Sequence, residues 1–254
     1  MKLFDLTGRV ALVTGGNGGI GLGIAEGLAA AGASVMIAGR NRAKNAAALD
    51  RLKPLTRDAD ALEADVTRQA DCQAMVQRTL DRFGSLTILV NNAGTNIRKR
   101  PEELGLAEWQ SILDTNLTSA FMASQAAYPA MQRAGFGKII NTGSMMSIFA
   151  TGFHAAYAAS KGGIVQLTKS LAAGWARDRI QVNAILPGWI DTELTRAARR
   201  DLQGLHERVL ARTPAGRWGE PEDFAGIAVF LASAASDFVT GTAIPVDGGY
   251  ASLG

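Results

Sequence analysis

Short apolar runs rich in β-branched residues alternate with longer amphipathic or alanine-rich segments along most of the chain. Seven of these runs predict buried strands, at 10–13, 34–38, 59–64, 86–90, 137–142, 181–186 and 243–246. The segments between them predict helices at 20–31, 42–53, 68–83, 106–134, 155–176 and 222–232. Such alternation is typical of a parallel sheet with helices on both faces. We therefore predict an α/β fold with a doubly wound, seven-stranded parallel sheet, formed by residues 1–254 as a single domain.

The stretch 190–217, between the sixth strand and the last long helix, is the least regular part of the chain. In an open α/β sheet, ligands bind beyond the carboxyl ends of the strands. A segment inserted at this place would therefore lie over such a ligand. Its periodicity is equally compatible with a pair of surface helices.

A glycine-rich turn follows the first predicted strand. The sequence Gly15-Gly16-Asn17-Gly18-Gly19-Ile20-Gly21 separates a β-branched run from a helical pattern. Glycines at such a turn let the backbone approach a pyrophosphate, and the helix N-terminus offers free N–H groups to it. The spacing differs from the commoner G-x-G-x-x-G, and glycines also mark ordinary tight turns. Because a strand and a helix flank it as required, the turn predicts a dinucleotide-binding site.

A second candidate site combines Ser144, Tyr157 and Lys161. Tyr157 and Lys161 are four residues apart in a predicted helix, so both side chains lie on one face, a turn apart. A phenol with an ordinary pKa of about 10 is a poor acid or base at neutral pH, and a nearby ammonium lowers that pKa. The three residues predict proton transfer at an alcohol or a carbonyl. Alone, the Tyr-x-x-x-Lys pattern also occurs by chance on amphipathic helices.

These features occur together with further motifs in a fixed order along the chain. They are Asn91-Asn92-Ala93-Gly94, Asn116, Ser144, Tyr157, Lys161, Pro187-Gly188 and Val246-Asp247-Gly248-Gly249. In order and spacing the set resembles the short-chain dehydrogenase/reductase family over almost the whole chain. The resemblance implies a single-domain Rossmann fold, and it implies that the segment at about 190–217 is a substrate lid.

The same resemblance implies a catalytic role for four residues. Tyr157 is expected to be the general acid/base, and Lys161 both to lower the pKa of Tyr157 and to bind the nicotinamide ribose. Ser144 is expected to orient and polarise the substrate oxygen. Asn116 resembles the family residue that holds a water molecule in the proton relay. The implied reaction is hydride transfer between a nicotinamide and a secondary alcohol or ketone.

The expected cofactor residues follow the ends of the predicted strands. They are Gly15, Asn17, Gly19, Ile20, Gly21, Arg40, Asp65, Val66, Asn92, Ala93, Gly94, Tyr157, Lys161, Pro187, Gly188, Ile190 and Thr192. At the end of the second strand, Gly39 stands where an acid would repel a 2′-phosphate, and Arg40 can pair with one. This favours NADP(H) over NAD(H), although the glycine turn lacks a basic residue. Asp65 is expected to meet the adenine ring or to cap a helix near Thr67.

The substrate is expected to be a sugar acid. The segments 142–147 and 212–219, and the basic loop 96–100, are similar to those of family members that act on gluconate and deoxyketogluconates. Arg98 is expected to hold a carboxylate, with Ser144, Met146, His154 and Tyr157 as the other substrate residues. A 3-oxoacyl carrier-protein reductase shares the catalytic motifs and is the alternative enzyme. A non-catalytic NAD(P)-sensing protein is the alternative of another class.

Composition narrows the remaining choices. The net charge of 254 residues is only +3, and the basic cluster 196–200 lacks interleaved aromatic residues, so we expect no nucleic-acid partner. The single cysteine, Cys72, excludes an internal disulfide and a multi-cysteine metal site, and we predict no metal. The acidic N-terminal residue Asp5 and the lack of any apolar run near 18 residues predict a cytoplasmic protein without membrane contact. The family resemblance implies a homotetramer.

Overall fold

The computed structural model describes residues 2–56 and 58–253, and all seven predicted strands lie there in one sheet. They are β1 Val10–Thr14, β2 Ser34–Gly39, β3 Ala59–Glu63, β4 Ile88–Asn91, β5 Gly137–Thr142, β6 Ile180–Pro187 and β7 Ala243–Val246. Every neighbouring pair is parallel, in the order β3-β2-β1-β4-β5-β6-β7. The chain changes direction across the sheet between β1 and β4. This switch point opens a crevice at the carboxyl ends of the strands.

Both faces of the sheet are buried, which explains the continuous apolar runs in the sequence. In β1, Ala11 and Val13 pack into one core while Leu12 packs into the other. In β4, Val90 and Leu89 divide between the same two cores. Successive strand side chains point to opposite faces, so a parallel sheet covered on both sides requires apolar residues at every position. The predicted α/β fold with helices on both faces is confirmed.

Nine α-helices occur in the described part of the chain. They are α1 Gly19–Ala30, α2 Arg42–Leu52, α3 Gln69–Phe83, α4 Leu106–Leu113, α5 Ser119–Ala134, α6 Ala155–Trp175, α7 Glu193–Asp201, α8 Leu205–Arg212 and α9 Ala225–Ala232. The stretch 190–217 contains α7 and α8, which matches the alternative of a helix pair. The last helix begins later than predicted because Pro221–Phe224 forms a 3-10 turn. None of the helices described is both long and apolar enough to span a membrane.

The single helix predicted at 106–134 is wrong. A π-helical turn at Asp114–Thr118 separates α4 from α5 and contains Asn116. Such wide turns insert an extra residue into a helix and frequently occur at functional sites. A periodicity of 3.6 residues continues through the turn with little change, so the sequence pattern does not reveal it. The turn places Asn116 inward, with 2% of its surface exposed.

Candidate active site

Three adjoining cavities lie over the carboxyl ends of the strands. The Arg40 cavity, of about 370 Å³, is bordered by the glycine turn, Arg40, Asp65 and the segment after β4. The central cavity, of about 160 Å³, lies between Lys161 and Thr192. The Arg98 cavity, of about 510 Å³, shares Ser144 and Tyr157 with the central one. The three together form a crevice that leads from Arg40, past Tyr157, to Arg98.

The glycine turn forms the floor of the Arg40 cavity. Gly15 and Gly19 adopt φ values of +62° and +50°, which side chains disfavour. A Cβ at Gly21 would lie 2.3 Å from both the Gly15 oxygen and Asn92 Nδ2, so this position needs glycine to keep the turn closed. Ile20 lines the cavity and also packs against the core. The turn therefore provides the close, uncovered backbone that a pyrophosphate group requires.

The space beside the end of β2 is occupied by the amide of Asn17. A Cβ at Gly39 would lie 2.3 Å from Asn17 Nδ2. Asn17 Nδ2 donates a hydrogen bond of 2.6 Å to Asn45 Oδ1, and Asn45 Nδ2 in turn donates to the carbonyl oxygens of Gly39 and Leu62. The side-chain amides of Asn17 and Asn45, which we call the amide bracket, thus fill the space beside Gly39. Sequence reasoning did not identify Asn45, which has no distinctive spacing.

Asp65 lines the Arg40 cavity and also closes a turn. Its Oδ1 accepts hydrogen bonds from the backbone N–H and the hydroxyl of Thr67, at 3.0 and 2.8 Å. The Thr67 N–H is the largest influence that lowers the pKa of Asp65, and Arg40 lowers it further by its charge. Asp65 is therefore an ionised group at the cavity wall, beside Val66. Asp65 thus closes a local turn, but it does not cap a helix as expected, because α3 begins after Arg68 and has no side-chain cap.

The segment after β4 joins the glycine turn to the rest of the crevice. Asn92 Nδ2 donates to the carbonyl oxygens of Thr14 and Gly15, and its backbone N–H donates to Thr14 Oγ1. Ala93 and Gly94 line the Arg40 cavity next to it. These bonds hold the carboxyl ends of β1 and β4 at a constant separation. The position of the backbone that forms the crevice floor therefore depends on these hydrogen bonds of Asn92.

Tyr157 and Lys161 lie on the first turns of α6, with Lys161 Nζ 5.7 Å from the centre of the Tyr157 ring. Lys161 Nζ donates a hydrogen bond of 2.7 Å to the carbonyl oxygen of Thr142, at the end of β5. Burial lowers the pKa of Lys161 to about 8. Burial also raises the pKa of Tyr157, and a hydrogen bond with Ser144 opposes this shift. The expected net lowering of the Tyr157 pKa by Lys161 is therefore not found in this structure.

Asn116 is connected to this pair through hydrogen bonds, and its side-chain amide makes three of them. Its Oδ1 accepts from the Thr95 N–H at 2.8 Å, while its Nδ2 donates to the Thr95 carbonyl oxygen and to Ser160 Oγ. Ser160 Oγ donates onward to the carbonyl oxygen of Tyr157 at 2.7 Å. The Asn116 side chain thus joins the segment after β4 to the first turn of α6. Sequence reasoning did not identify Thr95 or Ser160 as its partners.

The carboxyl end of β6 forms the wall opposite Tyr157. Pro187 and Gly188 line both the central and the Arg98 cavities, and Ile190 lines the central cavity. Thr192 lies between the Arg40 and central cavities, where its hydroxyl caps α7 by accepting from the Thr195 N–H. All the predicted cofactor residues except Gly21 line these cavities, and Gly21 supports the turn from below.

The basic loop 96–100 presents one cation to the Arg98 cavity. Lys99 pairs with Glu108 and Arg100 with Glu102, each at 2.6 Å. Arg98 has no carboxylate partner among residues 2–56 and 58–253. Its guanidinium lies 4.4 Å from the centre of the Phe153 ring, which orients it by a cation–π contact.

Met146 and His154, the other expected substrate residues, also line this cavity. His154 Nδ1 lies 2.5 Å from Thr151 Oγ1. Burial lowers the pKa of His154, and the charge of Arg98 lowers it further, so the imidazole is neutral at pH 7. Sequence reasoning missed several polar or aromatic residues of this cavity, because nothing in their spacing marks them: Asn96, Trp189, Thr195 and Asp201.

The chain is similar to known proteins over nearly its whole length. A family model described as enoyl-(acyl carrier protein) reductase matches residues 15–251. The 2-dehydro-3-deoxy-D-gluconate 5-dehydrogenase of Escherichia coli strain K12 is 41% identical over 252 residues, which are 98% of each chain. The gluconate 5-dehydrogenase of Gluconobacter oxydans strain 621H is 40% identical, over 97% of this chain and 96% of that protein.

A solved structure of a similar protein has nearly the same fold. The crystal structure of a gluconate 5-dehydrogenase from Burkholderia cenocepacia J2315, in complex with NADP and tartrate, superposes with a TM-score of 0.94. The two sequences are 42% identical, and the match covers 100% of this chain and 99% of that one. The two folds are therefore closely similar over nearly the whole of both chains.

Proposed function

Because the chain belongs to the short-chain dehydrogenase/reductase family, we propose that it interconverts a secondary alcohol and a ketone on a sugar acid, with NADP(H) as cofactor. The observation that carries this proposal is the Arg98 cavity. It combines a phenol and a hydroxyl, Tyr157 and Ser144, with a guanidinium free to bind a carboxylate. Reaction groups and a carboxylate site thus share one space of about 510 Å³, which is ample for a six-carbon acid.

Tyr157 transfers the proton in this mechanism. Its hydroxyl donates a proton to the substrate oxygen in reduction, and its phenolate takes a proton from that oxygen in oxidation. Ser144 donates a hydrogen bond to the same oxygen and holds it against the phenol. Lys161, with a pKa of about 8, exchanges protons near neutral pH and keeps a positive charge beside the developing phenolate. Asn116 and Ser160 hold the backbone of Tyr157 in place.

The residues of the Arg40 and central cavities would hold the dinucleotide, whose nicotinamide supplies or accepts the hydride. The glycine turn binds the pyrophosphate, Asp65 and Val66 border the adenine, and Lys161 binds the nicotinamide ribose. Pro187, Gly188, Ile190 and Thr192 border the nicotinamide. The helix pair α7 and α8 is the lid in this proposal, which is supported by Leu194 and Thr195 of α7, since both line the cavities that contain Tyr157.

The preference for NADP(H) rests on the end of β2. Position 39 is a glycine beside the amides of Asn17 and Asn45, so no carboxylate stands there to repel a phosphate. Arg40 lies exposed at the cavity edge, where it can pair with a 2′-phosphate. The variant R40A is expected to weaken NADPH binding far more than NADH binding in a fluorescence titration. Equal losses for the two cofactors would mean that Arg40 does not contact the 2′-phosphate.

The substrate class is tested by following absorbance at 340 nm. The panel contains gluconate, 5-ketogluconate, a deoxyketogluconate, a neutral polyol and an acetoacetyl thioester, each with NAD(H) and NADP(H). We expect turnover of a sugar acid and little turnover of the polyol, because only the acid offers a carboxylate to Arg98. R98Q should raise KM for the acid, with a smaller effect on kcat.

Turnover of the thioester alone would instead support a carrier-protein reductase, the activity to which the description of the matched family model is closest. Binding of NADPH without turnover of any compound would support a cofactor-sensing protein. All four candidate catalytic positions carry the polar residue that the family pattern requires, which supports an enzyme. These residues are Asn116, Ser144, Tyr157 and Lys161.

The assembly and location of the protein are part of the same proposal. A homotetramer is supported by apolar side chains exposed on the α4 and α5 surfaces, Leu106 at 80% and Phe121 at 44%, and by β7, which is an edge strand. Sedimentation equilibrium tests this, since a monomer at micromolar concentration would contradict it. A cytoplasmic location is supported by the single free thiol, Cys72, and is tested by cell fractionation.

A further inference from the structure

An ion pair joins two elements that border the Arg40 cavity. Lys44 Nζ lies 2.5 Å from Glu193 Oε2, and both residues line this cavity together with Arg40. Lys44 belongs to α2, directly after β2, whereas Glu193 is the first residue of α7. The contact spans 149 positions of the sequence, so only the tertiary structure reveals it.

The position of Lys44 directs it towards the Arg40 end of the crevice. It is the third residue of α2, and its backbone N–H donates to Asn41 Oδ1, which caps the helix. Helical side chains tilt towards the N-terminus of their helix, so Lys44 extends back towards Asn41 and Arg40. Two cations, Arg40 and Lys44, therefore border the same cavity, and the residue next to Arg40 at the end of β2 is Gly39 and not an acid.

The ion pair between Lys44 and Glu193 is weak enough for another anion to replace Glu193. The Lys44 side chain is 50% exposed and that of Glu193 is 84% exposed, and ion pairs between exposed side chains contribute little to stability. Lys44 lowers the pKa of Glu193, so the carboxylate is ionised at neutral pH and carries a single charge. A phosphate monoester carries a charge of about −1.5 to −2 at pH 7 and offers three acceptor oxygens. It would therefore compete effectively with Glu193 for the ammonium.

We propose that Lys44 is a second cation of the 2′-phosphate subsite and that Glu193 competes with the phosphate for it. Lys44 then favours NADP(H), while Glu193 limits how strongly this cofactor is preferred over NAD(H). Binding of the 2′-phosphate also removes the tie between α2 and the first turn of α7. The inference rests on the proposed use of NADP(H) and assigns a specificity role to two residues outside the glycine turn.

The test measures binding of two probes that differ only by the 2′-phosphate. Isothermal titration calorimetry on the full-length protein compares 2′,5′-ADP with 5′-ADP. K44Q is expected to weaken 2′,5′-ADP binding about fivefold to tenfold, through loss of one charge-assisted hydrogen bond, and to leave 5′-ADP binding unchanged. R42Q is the matched control, because Arg42 is a cation on the same helix that does not line the cavity. Equal effects of K44Q and R42Q would overturn the proposal.

The competing role of Glu193 requires a double-mutant cycle. E193Q is expected to strengthen 2′,5′-ADP binding about twofold to fivefold in the wild-type background, since it frees Lys44, and to have no effect in the K44Q background. If E193Q gives no gain in 2′,5′-ADP affinity in the wild-type background, Glu193 does not compete with the phosphate for Lys44. An equal gain in both backgrounds would also overturn the proposed competition, because Glu193 would then repel the phosphate without involving Lys44.

A third variant separates this inference from the proposed cofactor. If R40A removes the preference for 2′,5′-ADP and K44Q does not, the NADP(H) proposal stands and the role of Lys44 is wrong. If the wild-type protein binds both probes equally, the NADP(H) preference is wrong and the inference falls with it. The thermal midpoints of all the variants, measured by circular dichroism, should agree within a few degrees, because the side chains involved are exposed.

Discussion

Burial shifts the two ionisable groups of the reaction site in opposite directions. It raises the pKa of the Tyr157 phenol and lowers the pKa of the Lys161 ammonium to about 8. Both shifts favour the neutral form, as desolvation does for any charged group. The hydrogen bond from Lys161 Nζ to the Thr142 carbonyl oxygen holds the ammonium beside the phenol. The chemistry of the site is therefore adjusted by the depth of the crevice as well as by the pairing of the two residues.

Removal of the Tyr157 hydroxyl should abolish turnover. Y157F keeps the ring and loses the proton donor, so we expect kcat to fall about 10²- to 10⁴-fold, the usual contribution of a general acid or base. NADPH affinity, measured by fluorescence titration, should change little. Y128F is the control, because the Tyr128 hydroxyl bonds to Asp178 and Gln132 and lines none of the three cavities. Near-wild-type turnover in Y157F would contradict the proposed mechanism.

Lys161 should make the stability of the protein depend on alkaline pH. Its pKa is about 8 in the folded protein and near its ordinary value of 10.5 in the unfolded chain. The unfolded state binds the extra proton between these values, so the cost of burying the ammonium is fully present below pH 8 and is lost as the pH rises to 10.5. The Tm of K161M relative to wild type should therefore be highest below pH 8 and should fall towards pH 10.5.

Differential scanning calorimetry across pH 7 to 10.5 checks this prediction. K169M is the control, because Lys169 is an exposed lysine of the same helix, and its Tm difference should stay constant. A constant Tm difference for K161M as well would show that the ammonium carries no burial cost.

At the scale of elements, the π-helical turn between α4 and α5 connects the fold to the site. It places Asn116 where one amide satisfies the Thr95 N–H, the Thr95 carbonyl oxygen and Ser160 Oγ. Ser160 continues the connection to the backbone of Tyr157. The first turn of α6 is thus held by the segment after β4 through a chain of hydrogen bonds. A straight helix through 106–134 would turn the amide to another direction.

N116A should cost about 1–3 kcal/mol in the free energy of unfolding, because the partly buried backbone groups of Thr95 lose their hydrogen-bond partner. It should also lower kcat, since Ser160 loses the partner that orients it. Urea denaturation and steady-state kinetics measure the two effects. Q110A removes an amide of α4 that bonds to Asp114 at the surface, and it should change both values little. A neutral N116A would show that the turn holds its shape without the amide.

At the scale of the whole molecule, two apolar cores carry the sheet, and an ion pair between a buried lysine and an exposed aspartate attaches its C-terminal part. Lys138, at the start of β5, is 3% exposed, and its Nζ donates to Asp237 Oδ1 at 2.8 Å and to Ser236 Oγ at 3.2 Å. Burial lowers the pKa of Lys138, and Asp237 opposes that shift. The pair joins a central strand to the turn that precedes β7, the edge strand beside β6.

D237A should destabilise the protein by about 1–3 kcal/mol at pH 7, because a buried ammonium then loses its counter-charge. The second change K138M, in the same background, should restore much of the loss, since a methionine of similar length needs no partner. Urea denaturation of the two single variants and the double variant measures the coupling. Additive effects of D237A and K138M would mean that the two side chains act independently.

The local pattern of the sequence was sufficient for the sheet and for the parts of the site attached directly to strand ends. Seven apolar runs became seven parallel strands, because a sheet buried on both faces requires continuous apolar residues. The glycine turn, Tyr157 and Lys161 occupy the expected places, since each motif is short and its geometry follows from strand, turn or helix alone.

Features that depend on distant contacts were decided only by tertiary structure. The π-helical turn at Asn116 leaves the helical periodicity almost unchanged, so its stabilising partners Thr95 and Ser160 become visible only after folding. The pKa direction of Tyr157 depends on burial, which no spacing reports. Lys99 and Arg100 are neutralised by acids while Arg98 is not, and Lys44 meets Glu193 across 149 positions. Charges and amides act over a few ångströms of space, whereas sequence patterns record only neighbours along the chain.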